Sequence, residues 1–340
     1  MPRPSPEEVD LRSLSAEARE LLMLQAAKSY YDLDRTMAEI ATQLGLTRWQ
    51  VARLLKDARE QGIVRIEIVP RSQRRPDIES RLQDRYGLRE AVVVPDGGTD
   101  ADEADGFVVD AVAQAAGQFL AALTPRPEVV GVSWGRTMAA VAHWLPARWN
   151  DGVEVVLLNG AMNLRATVTR TNNVAELFAI AGNGRATLLP VPAIVGRPET
   201  RAVLEQDPVI EAVLRLGRDA PVACFGLGGM TADSVLVEAG MIGAAEIERL
   251  RERGAVGDVL GRFVDANGAV VDAALDGRTV GLPVAALRDK AVSIGVAAGR
   301  RKHAVVLAAL RAGLLNVLVT DERTAAMALH AGTGKARRDG

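Results

Sequence analysis

Residues 36–58 read TMAEIATQLGLTRWQVARLLKDA, and the spacing around Gly45 decides the fold of this part of the chain. Ala41 lies four residues before the glycine, while Val51 and Leu54 lie six and nine residues after it. Two short helices crossing at about 90–120° through a tight turn need this pattern. Ala41 is small where the helices touch, Gly45 adopts a backbone conformation that other residues resist, and Leu46, Val51 and Leu54 close a small core with Ile40 and Leu44. The helices are expected at Met37–Leu44 and Arg48–Gln61, preceded by another over Ser15–Tyr31 at period 3.6. Gly62 stops the second helix, and Ile63–Val69 alternates with period two, as a strand or wing does. The second helix then turns Thr47, Arg48, Trp49, Gln50, Arg53 and Lys56 outward. Their hydroxyl, guanidinium and amide groups suit base edges and phosphates in a major groove. Trp49 either stacks on a sugar or packs against the wing. The plainer alternative is a helical hairpin with a solvated basic face.

Charge supports the first reading. Residues 36–75 carry eight basic and four acidic side chains, in a chain with 41 Lys+Arg, 43 Asp+Glu and a formal charge of -2. Positive charge concentrated on one motif is the footprint of a duplex-DNA surface, whereas a basic coat over the whole protein is excluded. The 340 residues allow about two domains. At 48% hydrophobic and 25% charged the chain is no disordered polymer. Aromatics are only 4%, so the core is built from Ala, Val, Leu and Ile. The single cysteine, Cys224, rules out an internal disulfide and a cysteine metal cluster; it sits in an apolar strand as a small hydrophobe. Three histidines, His143, His303 and His330, leave little for a zinc centre, so neither a metal nor a cofactor is expected. The start has no apolar signal region, and no apolar run of about 18 residues exists, so a cytoplasmic protein with no membrane partner is expected.

Beyond a frayed tail over 1–14 and a DNA-binding domain over 15–70, a polar segment at 71–76 reads as a linker. From 77 to 330 the texture changes. Short apolar strands are expected at Ala91–Val94, Val129–Val132, Val153–Leu158, Thr187–Leu189, Val222–Phe225, Val292–Val296 and Val317–Val319. Helices are expected between them, at Asp77–Tyr86, Gly106–Leu123, Met138–Leu145, Val174–Ile180, Val209–Leu216, Val305–Leu310 and Thr324–Leu329, with an acidic, glycine-rich loop over Asp96–Gly106 and a tail over 331–340. Apolar strands without alternation, with helices between them, make a parallel sheet covered on both faces. The fold class is therefore α/β: a winged helix-turn-helix domain followed by a larger Rossmann-like α/β domain.

Gly131-Val132-Ser133-Trp134-Gly135 follows a strand and opens a helix. As G-x-S-x-G it matches a nucleophile elbow with Ser133 as nucleophile and His303 or His330 as partner. As a Gly/Ser/Thr loop at a helix N-terminus it is a phosphate cradle. As a bland turn, it merely lets strand meet helix. Arg136 and Thr137 are superfluous to a nucleophile but suit a phosphate, which favours the cradle. Phe225-Gly226-Leu227-Gly228-Gly229-Met230-Thr231 is a poor dinucleotide motif, because threonine replaces its third glycine. It reads better as a strand-end loop bordering a pocket, since parallel sheets bind ligands beyond the strand carboxyl ends, where Ser133, Asn159 and Gly228 project. Thr320-Asp321-Glu322 reads as a helix cap.

Ile40-Ala41, Leu44-Gly45-Leu46-Thr47-Arg48, Val51-Ala52-Arg53-Leu54-Leu55 and Gly62-Ile63-Val64 resemble the N-terminal domain of the SorC/DeoR family of sugar-sensing bacterial regulators. Gly131–Thr137, Gly257-Asp258, Gly261-Arg262-Phe263, Gly299, Lys302 and Leu318-Val319-Thr320-Asp321-Glu322 stand in that family's order, so the resemblance runs from about residue 15 to residue 330. It implies an effector domain like those of phosphosugar isomerases and deaminases. It implies that Gly135, Arg136 and Thr137 hold a sugar phosphate or equivalent oxygens, Asp258 binds sugar hydroxyls and Lys302 pairs with a phosphate or hydroxyl. Asn159-Gly160 would add a further wall. A loop or cap residue is the alternative for Asp258, and a solvated lysine for Lys302.

The expectation is a non-enzymatic regulator that binds double-stranded operator DNA as a homodimer or homotetramer, under control of a sugar, polyol or sugar phosphate. The rival is a phosphosugar isomerase, deaminase or serine hydrolase with an appended helical domain. No catalytic residue is assigned, since no His or Glu stands beside Ser133 in sequence.

Overall fold

A computed structural model of the chain describes residues 15–64, 74–96, 105–161, 174–231 and 233–331. The chain divides into two compact units, Met1–Pro70 and Arg71–Gly340.

The first unit contains α1 (Ala16–Ala27), α2 (Met37–Leu44) and α3 (Arg48–Glu60), with a wider helical turn, Lys28–Asp32, extending α1. Both helices of the motif begin at a capping box. Thr36 accepts the Glu39 N–H, and Glu39 accepts the Thr36 N–H at 2.8 Å. Thr47 and Gln50 do the same for α3, with the Thr47 N–H at 2.8 Å from Gln50 Oε1. Gly45 sits at φ 66°, ψ 33°, the left-handed conformation that closes α2 and that an L side chain resists. Met23, Ala26, Ile40, Ala41, Val51, Leu54 and Ala58 bury together. From Arg65 onward, the strand expected over Ile63–Val69 lies outside the described residues.

The second unit continues with α4 (Pro76–Tyr86), β1 (Glu90–Val94), α5 (Asp105–Ala121), β2 (Val129–Val132), α6 (Arg136–Trp144), β3 (Glu154–Leu157), α7 (Val174–Ala181) and β4 (Arg185–Thr187). Then come α8 (Pro198–Gln206), α9 (Pro208–Asp219), β5 (Val222–Gly229), α10 (Val235–Glu238), α11 (Ala244–Glu252), β6 (Gly257–Val259), β7 (Arg262–Val264) and α12 (Ala273–Asp276). β8 (Val292–Ala297), α13 (His303–Arg311), β9 (Val317–Asp321) and α14 (Glu322–His330) complete it. The sheet order is β1-β9-β8-β5-β2-β3-β4, and every pair along it is parallel. Alternate residues of one strand feed opposite cores: Val317 and Val319 pack on one face of the sheet, Leu318 on the other. This two-sided burial is why the strands read as unbroken apolar runs.

The structure differs from the sequence reading in three places, the first being β4, which ends at Thr187 where the expected strand begins. β5 runs on to Gly229 instead of ending at Phe225, because β6 pairs with its end antiparallel, Gly228 opposite Asp258. The helices α8, α10, α11 and α12 were not expected, and α10 and α12 are single turns of four residues. Asp321 caps α14, accepting the Thr324 N–H at 2.9 Å, as the sequence suggested. Arg74 pairs with Glu79 and Glu90, and Arg75 with Glu322, so the last residues before α4 are anchored to the second unit.

Thr47→Ala is expected to lower the stability of the first unit by about 1 kcal/mol through loss of the cap. Chemical denaturation followed by circular dichroism measures it.

Candidate functional site

The strand order reverses between β5 and β2: the chain runs from β2 outward through β3 to β4, then returns to β5 and proceeds the other way. The carboxyl ends of the strands at such a reversal are where open α/β sheets bind ligands. A cavity of about 680 Å³ opens there. Ser133, Gly135, Arg136, Thr137, Asn159, Gly228, Asp258 and Lys302 all line it. Gly160 does not. Its carbonyl accepts the Trp134 indole N–H at 2.9 Å, and a Cβ on it would lie 2.7 Å from the Val191 and Pro192 carbonyl oxygens, so it supports the wall from behind. Residues that the sequence reading missed include Arg301, Ser234 and Leu260. The paired basic side chains of Arg301-Lys302 were the available signal for the first.

Asn159 is the sharpest feature. It is 1% exposed, and among the described residues neither its amide nitrogen nor its carbonyl oxygen has a partner. The Ser234 hydroxyl, in a residue that also lines the cavity, is likewise buried with no partner among the described residues. Orphaned buried polar atoms cost free energy unless something supplies the missing bonds. Asn159 is held by its backbone, which bridges to Gly281, while the neighbouring Leu158 carbonyl accepts the Leu282 N–H at 2.7 Å. Gly281 has φ 130°, and a Cβ there would lie 2.6 Å from the Leu158 carbonyl oxygen.

Asp258 reaches the same cavity from the β6–β7 hairpin. The hairpin turns at Leu260 (φ 53°) and Gly261 (φ 78°), and Asp258 accepts the Gly261 N–H at 3.1 Å. A leucine with positive φ is rare, and here it is 3% exposed and faces the cavity. Gly228 leaves room for the carboxylate: a Cβ there would fall 1.7 Å from Asp258 Oδ1. Burial raises the Asp258 pKa above the ordinary carboxylate range, opposed by the nearby Lys302 ammonium and the Gly261 N–H. Burial likewise lowers the Lys302 pKa, opposed by Asp258. The Lys302 ammonium donates to the Leu227 carbonyl at 2.6 Å. Carboxylate and ammonium therefore face a cavity they can serve as acceptor and donor.

Behind both walls lies Arg262, 3% exposed. It pairs with Asp276 at 2.7 Å and donates to the carbonyls of Thr279, Gly281 and Leu282. One buried guanidinium thus fixes the hairpin carrying Asp258 and the segment clamping Asn159.

The Ser133 hydroxyl is occupied. It donates to the Trp134 carbonyl and accepts the Gly226 N–H, each at 3.2 Å, tying β2 to β5. Among the described residues no histidine or carboxylate hydrogen-bonds it. Gly135, at φ 122°, starts α6 with no side-chain cap, so the helix N-terminus opens on the cavity. Arg136 pairs with Glu238 at 3.2 Å and donates to the Asp233 carbonyl at 2.7 Å. No cluster of His, Cys, Asp or Glu suited to a metal occurs among the described residues, and among them no helix is long and apolar enough to cross a membrane.

In the first unit, α3 exposes Arg48, Trp49, Arg53 and Lys56, with Trp49 69% exposed. The Arg53 guanidinium lies over the Trp49 ring at 5.6 Å, and Lys56 pairs with Glu60 at 3.6 Å. Thr47 and Gln50 are half-buried and bonded to each other in the cap. The sequence reading took their polar atoms as outward; the structure commits them first to starting the helix.

Fold and site define a class: a helix-turn-helix unit joined to a doubly wound unit with a cavity lined by hydrogen-bonding groups. Comparison with known proteins agrees. The family model Sugar-bind, described as "Putative sugar-binding domain", matches residues 71–330. The chain is 32% identical over 307 residues to the deoxyribonucleoside regulator of Bacillus subtilis, covering 90% of this chain and 96% of that protein. It is 31% identical over 322 residues to the erythritol catabolism regulatory protein EryD of Brucella abortus, covering 94% and 100%. The crystal structure of the full-length sorbitol operon regulator SorC from Klebsiella pneumoniae superposes with TM-score 0.68 at 30% identity, over 93% of this chain and 100% of that one. The protein belongs to this family of sugar-binding transcriptional regulators of the SorC/DeoR type.

Two outcomes are expected. Asn159→Leu replaces an orphaned amide by an apolar group of similar volume, and should raise the stability of the free protein by about 1–2 kcal/mol. Arg262→Met strips the donors from three buried carbonyls and from Asp276, whose own side chain is about a third exposed, and should lower it by about 1–3 kcal/mol. Denaturant titration of both variants reads the two signs.

Proposed function

We propose that the cavity between β2 and β5 binds a sugar, polyol or sugar phosphate without transforming it, and that its occupancy controls binding of α3 to double-stranded operator DNA. The orphaned amide of Asn159 carries the reading, because an oxygen-rich ligand completes its bonds. Asp258 accepts from hydroxyls and Lys302 donates to them. Gly135, Arg136 and Thr137 present N–H groups, a guanidinium and a hydroxyl at the start of α6, and Gly228 keeps the floor open. The ring of Trp134, 9% exposed at the cavity wall, supplies an apolar surface for the carbon face of a sugar. Ser133 acts through the loop geometry, with its hydroxyl engaged as described. The internal bonding of Ser133 also supports a sensor in preference to a serine enzyme, with no cofactor required.

At the other unit, Arg48, Arg53 and Lys56 supply cations for phosphates and base edges, and Trp49 stacks under Arg53. Thr47 and Gln50 present their remaining polar capacity at the helix start. A two-fold-symmetric operator read by one helix per chain calls for a homodimer or homotetramer acting in the cytoplasm. Ligand and DNA each favour one arrangement of the copies, and the coupling, typically about 1–3 kcal/mol, is reciprocal.

A thermal-shift panel of free and phosphorylated sugars and polyols tests the first half. A ligand at 100 times its Kd should stabilise the protein by about 2.7 kcal/mol. That shift should vanish in Asn159→Leu; a shift that persists there, or turnover of the ligand, contradicts the reading. Selection from a random duplex library tests the second half. Arg48→Ala should lose about 1–3 kcal/mol of discrimination at defined base pairs. An unchanged sequence preference removes Arg48 from base readout.

A further inference from the structure

α1 presents two opposite faces. Met23, Ala26 and Ala27 are buried in the small core of the first unit. On the other side Glu17, Leu21, Leu24 and Lys28 form one stripe, spaced four, three and four residues apart. That is the spacing of a helix–helix seam. Leu21 is 56% exposed and Leu24 is 41% exposed, in a unit whose other α1 leucine, Leu22, packs against its core. Lys28, just past α1, keeps helical dihedrals at φ -59°, ψ -43° and continues the stripe. Glu17 and Lys28 are both exposed and form no ion pair among the described residues.

The charges select the occupant. A second copy laid parallel would set Glu17 against Glu17 and Lys28 against Lys28. Laid antiparallel, with the two-fold axis between Leu22 and Met23, it sets Glu17 against the second copy's Lys28 and Leu21 against the second copy's Leu24. Every position then meets its complement twice, as an isologous contact requires. We infer that α1 pairs antiparallel with α1 of a second copy of this chain, in this register. The inference rests on the reading of a symmetric assembly on DNA and adds to it the surface and the register. Two leucines a side fall well short of the about 800 Å² per partner of a stable standard interface. The contact therefore sets the relative position of two first units that other contacts hold together.

Cysteine cross-linking of the full chain tests it. Cys224 is 0% exposed and stays silent towards a short bis-maleimide. Along a helix, residues 17 and 28 stand about 16 Å apart at 1.5 Å per residue. The double variant Glu17→Cys/Lys28→Cys should give a covalent dimer, whereas Glu17→Cys or Lys28→Cys alone should not, because each lone thiol lies that far from its own counterpart. Both sites are exposed, and circular dichroism checks that the variants fold. Sedimentation of the unmodified chain is run alongside. Single variants that cross-link as fast as the double one overturn the antiparallel register. A chain that sediments as a dimer or tetramer, yet gives no covalent dimer from the double variant, overturns the α1 surface and leaves the symmetric assembly standing. A monomer at every concentration with no cross-link overturns both.

Discussion

The reversal of strand order between β2 and β5 is the constraint on which the site depends. Each right-handed crossover lays its helix over one face of the sheet, and where the direction of winding changes, neighbouring crossovers diverge. The crevice left at the carboxyl ends of β2 and β5 is an outcome of topology, independent of any side chain that lines it. What this chain adds is chemistry: a helix start without a cap at Gly135, an amide without partners at Asn159, and a carboxylate and an ammonium brought in from two other directions.

Those groups are held at a cost in local conformation. Leu260 takes a positive φ that a leucine accepts only because its surroundings fix it, and Gly281 supplies a φ that a side chain would resist. Arg262 does much of that fixing, since a single planar guanidinium reaches one carboxylate and three carbonyls. Orphaned atoms at Asn159 and Ser234 and a raised carboxyl pKa at Asp258 are further departures from a stability optimum. Asn159, Ser234, Asp258 and Leu260 all line one cavity, as expected where binding and not packing sets the residue choice.

The fold was legible wherever one local rule dominates. Gly45 with Ala41, Val51 and Leu54 predicts the helix-turn-helix because its core is built from contacts near in sequence. The central strands were legible because burial on both faces leaves unbroken apolar runs such as Val292–Val296. The β6–β7 hairpin was not, since its turn uses Leu260-Gly261 where Asn-Gly is the usual signal. Its pairing with the end of β5 hid for the same reason, Gly226–Gly229 reading as loop when they are strand. Asp258 and Lys302 entered only through family resemblance, because their meeting depends on that pairing. Gly160 was misplaced because adjacency to Asn159 in sequence does not distinguish the wall from its backing.

Electrostatics at the cavity bear on what it admits. Arg136, Arg301 and Lys302 line it, and each already faces a carboxylate: Glu238, Asp233 and Asp258. A ligand recognised through its hydroxyls leaves these pairs intact and adds donors and acceptors around Asn159. A phosphate would have to share Arg136 with Glu238, a pair whose two side chains are about half exposed and which is therefore weakly held. The open N-terminus of α6 would favour that exchange, whereas the half-buried Asp258 would oppose a second negative charge deeper in. A phosphorylated ligand is thus expected to lie with its phosphate at the α6 end and its hydroxyls towards Asn159 and Asp258. An unphosphorylated one needs only the deeper half, so the two classes differ in whether the Arg136–Glu238 pair must open.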